Sequence, residues 1–306
     1  MIINVRNLIK NYGENKVLKG VDFKVKKGDV YGFLGHNGSG KTTTMNILAG
    51  IIGYNDGDIK INDLDMITNK EKLKGAIGYL PEEPKFYPYM TAKEYLNFIG
   101  RILGYDKNQI NTKNKELISL VKLDKSINKK IGGYSRGMKQ RLGIAVSMYN
   151  NPKILLLDEP SSALDPMGRK DVIDIIEDLK KLDITVFLST HILSDIERVC
   201  DTVGILHGGK IILEEKLQEL KKRYLQPIYD IEFKNEVEAD KIKKLDKSWI
   251  KEVKFKNNIM NLIVDREIDS RYILQTLLEI DESILSVNLR RANLEDIFIQ
   301  VVSENE

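Results

Sequence analysis

The sequence contains one cysteine, Cys200, and no uncharged run long enough to span a bilayer. A single thiol excludes an internal disulfide and fits a reducing compartment. The longest uncharged stretch, Thr42–Asn55, has 14 residues, among them three Thr and two Asn; it is too short and too polar for a transmembrane helix. The opening residues, "MIINVRNLIKNYG", alternate apolar and polar side chains and show no apolar run before a small-residue cleavage site, so no signal peptide is expected. Charge of one sign is also scarce: a net charge of +3 gives no general argument for nucleic-acid binding. Tandem repeats and low-complexity segments are absent. Any membrane role must therefore come through a partner.

At 306 residues, 42% apolar and 30% charged, the chain can bury a core and stay soluble, as one large domain or two ordinary ones. Residues 1–215 read as alternating strands and helices, the pattern of an α/β sheet. "VYGFLG" (30–35) is a buried strand running into a glycine loop, and "KTTTMNILAG" (41–50) is the helix after it. "KILLLDEP" (153–160) and "ITVFLST" (184–190) are apolar on both faces, as central parallel strands are. Between them lies a helix-rich insert, about 86–151. Its first helix opens on a capping box, Thr91 with Glu94, and Tyr95, Ile99 and Ile102 follow at helical spacing. Ser135 opens another helix, which Pro152 closes. Residues 168–182 are a third helical stretch, with Val172, Ile175, Ile176 and Leu179 on one face.

Near residue 215 the character changes. Residues 216–227 read as a charged connecting helix stopped by Pro227, and "IYDIEF" then alternates as a strand does. Helix (236–246), strand (250–256), strand (259–264), helix (269–280) and strand (284–290) give the order βαββαβ. That is a small ferredoxin-like α+β domain over 228–306, with a last helix at 293–302. Trp249 is expected in its core, and Cys200 is expected to be a buried small hydrophobe. The lysines from Lys241 to Lys256 fit either a solvated surface or one facing anionic lipid.

The chemistry is concentrated in two motifs. Gly35-His36-Asn37-Gly38-Ser39-Gly40-Lys41-Thr42 matches G-x-x-x-x-G-K-[ST]. Its glycines let several backbone N–H groups point into one anion nest, and the following helix, starting at Lys41 to Thr43, adds the positive end of its dipole. Lys41 can reach β- and γ-phosphates, and the Thr42 hydroxyl can ligate Mg²⁺. By composition alone the pattern arises in roughly one chain in a hundred. The second motif, "ILLLDEP", ends a buried strand on Asp158, where P-loop enzymes hold Mg²⁺, and places Glu159 to polarise a water for attack on the γ-phosphate.

With these residues in place, the chain resembles an ABC-type ATPase subunit over about residues 1–215. The resemblance implies a RecA-like P-loop core with an antiparallel β subdomain and the helical insert. It also gives roles to residues that are weak evidence alone. Tyr12 in "KNYG" matches the aromatic residue that stacks on adenine. Ser162 to Asp165 in "EPSSALD" matches the D-loop, and His191 in "LSTH" matches the switch histidine that contacts the γ-phosphate.

"YSRGMKQRLG" aligns with the family's L-S-G-G-Q segment, through Tyr134, Ser135, Arg136, Gly137 and Met138. Ser135 and Gly137 fit the pattern, while Tyr134, Arg136 and Met138 depart from it. In the family this helix start meets ATP held by the other subunit's P-loop, so each nucleotide is clamped between two chains. Arg136 either adds a cation near that phosphate or points to solvent. Glu82 in "IGYLPEEPKFYP" stands where the family carries the Q-loop glutamine. A carboxylate there can ligate Mg²⁺, but beside a triphosphate it adds a repulsion of about 1–4 kcal/mol at ~4 Å unless metal intervenes.

The segment "RRANLEDIFIQVV" resembles the end of the accessory domain appended to exporter-type subunits. The resemblance implies an ATPase that binds ATP and Mg²⁺ in a head-to-tail dimer, as a homodimer or with a paired ATPase subunit. It implies separate integral-membrane permease subunits, export as the direction of transport, and a place on the cytoplasmic face of the membrane. The alternative is a soluble ABC-type ATPase acting on ribosomes or nucleic acid. One P-loop, no sustained heptad run and balanced charge weigh against it, and no nucleic-acid partner is expected. A P-loop metabolic kinase would leave His191 and the Ser135 segment without a task.

Overall fold

A computed structural model of the chain describes residues 1–73, 75–224, 227–235, 237, 247–264, 268–280, 282–291 and 294–303. The chain divides into two compact units that meet in sequence at Leu217 and Gln218.

The first unit opens with a hairpin, β1 (Ile3–Tyr12) and β2 (Asn15–Val25), followed by β3 (Val30–Leu34) and helix α1 (Lys41–Leu48). Strands β4 (Asp56–Ile61) and β5 (Leu64–Asp65) return to the hairpin and complete an antiparallel sheet in the order β2-β1-β4-β5. The short α2 (Lys70–Leu73) leads to β6 (Ile77–Leu80) and then to the helical insert, α3 (Ala92–Ile102), α4 (Lys107–Leu120) and α5 (Arg136–Ser147). Next come β7 (Ile154–Asp158), α6 (Pro166–Lys181), β8 (Thr185–Thr190), α7 (Leu193–Val199), β9 (Thr202–His207) and β10 (Lys210–Lys216).

The second sheet has the order β10-β9-β3-β8-β7-β6, parallel except for the β9–β10 hairpin. Every residue of β3, β7 and β8 is buried, including the polar Asp158, Thr185, Ser189 and Thr190 at the strand ends, as in central parallel strands covered on both faces. An aromatic cluster joins the two sheets: Phe23 of β2 packs on Tyr31, Phe33 and Phe187, and Tyr31 stacks on Phe187 with centroids 5.2 Å apart. The register places function at one edge. Leu34 pairs with Thr190, Asp158 with Ser189, and Leu80 with Leu157. The residues that follow these strands, from Gly35, Glu159, His191 and Glu82, therefore leave the sheet at the same carboxyl end, where open α/β sheets bind ligands.

In the insert, the Thr91–Glu94 capping box is present: Glu94 N–H donates to Thr91 Oγ1 at 3.2 Å and Thr91 N–H to Glu94 Oε2 at 2.8 Å. The buried face of α3 is not the expected one. Ala92, Leu96 and Gly100 are buried, whereas Ile102 is 64% exposed. The small residues mark where the neighbouring helices come closest; a Cβ on Gly100 would lie 2.5 Å from the Tyr149 hydroxyl. Tyr95 instead joins Phe86, Tyr87 and Phe98 in a partly exposed aromatic cluster. Helix α4 starts on a capping box not expected from the sequence, Asp106 with Gln109.

The second unit contains β11 (Pro227–Phe233), β12 (Ile250–Lys256), β13 (Ile259–Val264) and β14 (Ile284–Arg291), with helices at Ser270–Leu278 and Leu294–Ser303. The strands form an antiparallel sheet in the order β12-β13-β11-β14, the arrangement of a ferredoxin-like split βαβ repeat. The expected helix at 236–246 lies outside the described residues, apart from Val237. One face of the sheet buries Ile231, Phe233, Met260 and Leu262 against Ile273 and Leu277, and Trp249 packs at the margin of this core. Among the described lysines of this unit, Lys247 pairs with Glu279 and Lys254 with Glu252.

Candidate nucleotide-binding site

The loop between β3 and α1 needs glycine at two points for different reasons. Gly40 has φ 111°, a backbone conformation that disfavours any side chain, and a Cβ there would meet Leu18 Cδ2 at 2.6 Å. Gly35 has no room, since a Cβ would lie 2.5 Å from the Leu206 carbonyl oxygen. Gly40 is the N-cap of α1 and supplies no side-chain cap, and the first turn has no acidic residue. The leading N–H groups of α1 are thus left for an anion. Lys41 is buried, and its Nζ donates to the carbonyls of Gly35 at 2.7 Å and His36 at 3.2 Å while lying 3.4 Å from Glu159 Oε1.

This loop forms one wall of a cleft of about 410 Å³. Asn37, Gly38, Gly40, Lys41, Thr42 and Thr43 line it, facing Glu82, Glu159, Ser162 and His191. Ser39 is not among the lining residues, and its hydroxyl oxygen is buried without a hydrogen-bond partner.

The opposite wall comes from the ends of β7 and β8. Glu159 has φ 47°, unusual for a residue with a side chain and worth about 1–3 kcal/mol of strain. Its N–H is held by the Ser189 carbonyl at 3.0 Å, and its Oε2 lies 2.9 Å from His191 Nδ1. An ionised carboxylate only accepts, so Nδ1 carries the proton in this contact.

Asp158 is completely buried, with Oδ1 accepting from the Ser189 hydroxyl at 2.6 Å. No hydrogen bond of good geometry reaches Oδ2. Burial raises the pKa of this carboxyl, against the opposing pull of the Ser189 and Thr42 hydroxyls; neighbouring Glu159 raises it further, and the Lys41 charge lowers it. A buried carboxylate oxygen with a free lone pair beside the Thr42 hydroxyl fits a divalent cation. Among the described residues no group of three His, Cys, Asp or Glu could hold a metal alone. Mg²⁺ takes one or two protein ligands and completes its shell with phosphate and water.

The strain on Asp158 can be measured. Its charged form is disfavoured in the fold, so Asp158→Asn should raise the stability of the nucleotide-free chain at neutral pH. The sign follows from linkage: a raised carboxyl pKa costs no stability below its unfolded value and progressively more as pH rises through the folded one. The gain in melting temperature should therefore shrink toward acid pH, while stabilisation by MgATP is lost. An unchanged MgATP shift in this variant would remove Asp158 from the site.

Other expected residues lie outside the lining of the cleft. Tyr12 is 51% exposed at the end of β1, with Lys10 Nζ 4.9 Å from its ring centre; Val17 of β2 lines the cleft instead. Asp165 caps α6, its Oδ1 accepting from Gly168 N–H at 3.3 Å. Ser135 caps α5 through a 3.3 Å bond from Met138 N–H and is exposed, as is Arg136, while Gly137 is buried and Met138 half-buried. Tyr134 accounts for the first departure from the motif: its ring is buried and its hydroxyl donates to the Ser126 carbonyl at 2.7 Å.

Gln140, in the same segment but given no role by the sequence, is buried and donates from Nε2 to the Glu82 carbonyl at 2.6 Å. Ser189 likewise has no motif to mark it, though it stands two residues before His191 and holds Asp158.

The model of the ABC transporter family matches residues 18–162, and that of the DrrA1-3-like ATP-binding protein C-terminal domain matches residues 216–302. The chain is 36% identical over 302 residues to an uncharacterized ABC transporter ATP-binding protein, YxlF, of Bacillus subtilis (strain 168), covering 98% of this chain and 99% of that protein. It is 43% identical over 224 residues to the bacitracin transport ATP-binding protein BcrA of Bacillus licheniformis, covering 72% of each. Among solved structures, the ATP-binding cassette MJ0796, dimeric in a post-hydrolysis state with ADP and Pi, superposes with a TM-score of 0.63 at 26% identity, covering 70% of this chain and 98% of that one. The P-loop, the buried Asp158–Glu159 pair and His191 thus sit in a fold whose relatives are named as ABC transporter ATP-binding proteins, and the chain belongs to the ABC transporter family as an ATP-binding, ATP-hydrolysing subunit.

Proposed function

We propose that two ATPase chains pair head to tail, each holding MgATP between its own Lys41 loop and the Ser135 helix start of its partner. The observation that carries this reading is a separation. Within one chain the cleft gathers Lys41, Thr42, Glu159 and His191, while Ser135 and Gly137 are not among its lining residues. Ser135 caps its helix and remains exposed, so the helix start can serve an anion held elsewhere. ATP then favours the paired state because only that state makes both sets of contacts.

Lys41 lies between the phosphate loop and the base. A γ-phosphate competes for the Lys41 charge, and Glu159, losing its cation, becomes the better acceptor for a water proton. His191 holds Glu159 in place through Nδ1 and stabilises the attacking arrangement. Thr42 and Asp158 would hold Mg²⁺, which when bound neutralises charge on the phosphate oxygens. Glu82, exposed on the cleft wall, is a further ligand in this reading.

No helix among the described residues is long and apolar enough to cross a membrane. We assign transport to separate permease subunits that bind the helical insert and hold the chain at the cytoplasmic face, with export as the direction. Residues 228–306 form the accessory domain, joined through 216–227. The named transport function of the bacitracin relative favours this over action on ribosomes or nucleic acid. The test is purification from detergent extracts: a polytopic membrane protein should accompany the chain. Salt-sensitive retention on RNA without such a protein would replace this reading with the alternative.

A further inference from the structure

Beyond the end of the sheet, the chains leaving β7 and β8 stay joined by side chains. The strand register ends at Asp158 and Ser189, and one backbone bond, from Glu159 N–H to the Ser189 carbonyl, carries it a step further. Three contacts then follow in order: Ser189 Oγ to Asp158, His191 Nδ1 to Glu159, and Ser161 Oγ to Asp195 Oδ2. The last rung rests on a buried charge. Asp195, in the first turn of α7, is 3% exposed, and its Oδ1 accepts from Arg169 Nε of α6 at 2.8 Å. Arg169 also donates to Ser194 Oγ. Ser161 is itself 1% exposed.

A carboxylate out of water must place its lone pairs on donors, and both of these donors come from the segment that follows Glu159. Ser161 is two residues beyond Glu159, and Asp195 is four beyond His191. The strained backbone at Glu159 needs surrounding structure to hold it, and this rung lies next to it.

We propose that Asp195 is a positioning residue for ATP hydrolysis, clamping the loop of His191 to the loop of Glu159 through Ser161 and Arg169. This rests on the roles given above to Glu159 and His191. Asp195 touches no substrate in this assignment; it acts by keeping the His191–Glu159 contact in register. A stability role alone, from an acidic residue near a helix start paired with arginine, is the plainer explanation. The two differ in whether Asp195 and His191 act through each other.

The experiment uses the full chain and measures ATP turnover and ATP affinity for Asp195→Ala, His191→Ala and the double variant, at a temperature well below each melting point. Asp195→Ala should lower kcat about 100-fold, as small misplacements of reacting groups do, with ATP affinity within about threefold. The double variant should be no more than about threefold slower than His191→Ala alone. Asp195→Asn keeps an oxygen for the Ser161 hydroxyl and should recover most of the rate. Should Asp195→Ala not fold, Ser161→Ala, which deletes one oxygen, carries the same cycle with a loss of about tenfold.

Losses that multiply in the double variant, or wild-type turnover by Asp195→Ala, overturn the positioning role and leave that of His191 intact. Wild-type turnover by His191→Ala overturns both.

Discussion

Glu159→Gln is expected to bind MgATP, to accumulate as a dimer, and to hydrolyse ATP at least ~100-fold more slowly than the unaltered chain. The replacement keeps the shape of a side chain that is 5% exposed and fixed on a left-handed backbone with φ 47°. It removes the negative charge that faces Lys41 Nζ at 3.4 Å and, with it, the basicity needed to take a water proton. Binding therefore gains, because Lys41 no longer divides its charge between carboxylate and phosphate, while chemistry stalls. An amide oxygen can still accept from His191, so the loop holds its place. Phosphate release in a single turnover and light scattering with MgATP measure the two effects together. Hydrolysis at the unaltered rate would falsify the assignment of Glu159 as base; slow hydrolysis without dimers would break the link between closure and the shared site.

Lys41→Ala should produce the opposite pattern, with ATP affinity lower by at least ~100-fold, the value of roughly 3 kcal/mol. The ammonium is nearly buried and donates to two loop carbonyls, at 2.7 and 3.2 Å, so the variant loses more than a phosphate contact. The Gly35 carbonyl loses a charged donor and the Glu159 carboxylate loses its cation, while the His36 carbonyl keeps the Ser39 N–H at 3.2 Å. Each buried group left unpaired costs about 1–3 kcal/mol. The nucleotide-free chain should consequently melt at a lower temperature, an effect that a purely phosphate-contacting lysine would not show. Undiminished ATP affinity would remove the phosphate-loop assignment; an unchanged melting point would remove the structural half of the account.

The parts of this site legible in the sequence are those set by local pattern. The glycine spacing before Lys41, the apolar runs ending in Asp158 and Thr190, and the Thr91–Glu94 cap each need only a few consecutive residues. Contacts that depend on strand register were not legible. Nothing between residues 158 and 195 states that Ser189 lies across from Asp158, or that Asp195 turns back toward Ser161. Gln140 lies inside the Ser135 segment, but its partner is a backbone carbonyl far away in sequence, which no motif displays. The buried face of α3 differs from the expected one for a related reason. Hydrophobicity points to Tyr95 and Ile102, whereas close packing selects Ala92 and Gly100. The departure at Tyr134 is resolved by one bond to Ser126, reached across a turn of irregular chain.

The division of the Ser135 helix start from the Lys41 cleft also bears on heredity. With the proposed pairing, a chain damaged at Lys41 still lends a sound Ser135 to its partner, and spoils only the cleft it carries. A chain damaged at Ser135 spoils a cleft that belongs to someone else. Two defective alleles of different kinds would then restore one whole site in some of their mixed pairs, and one defective allele would weaken the product of a healthy one.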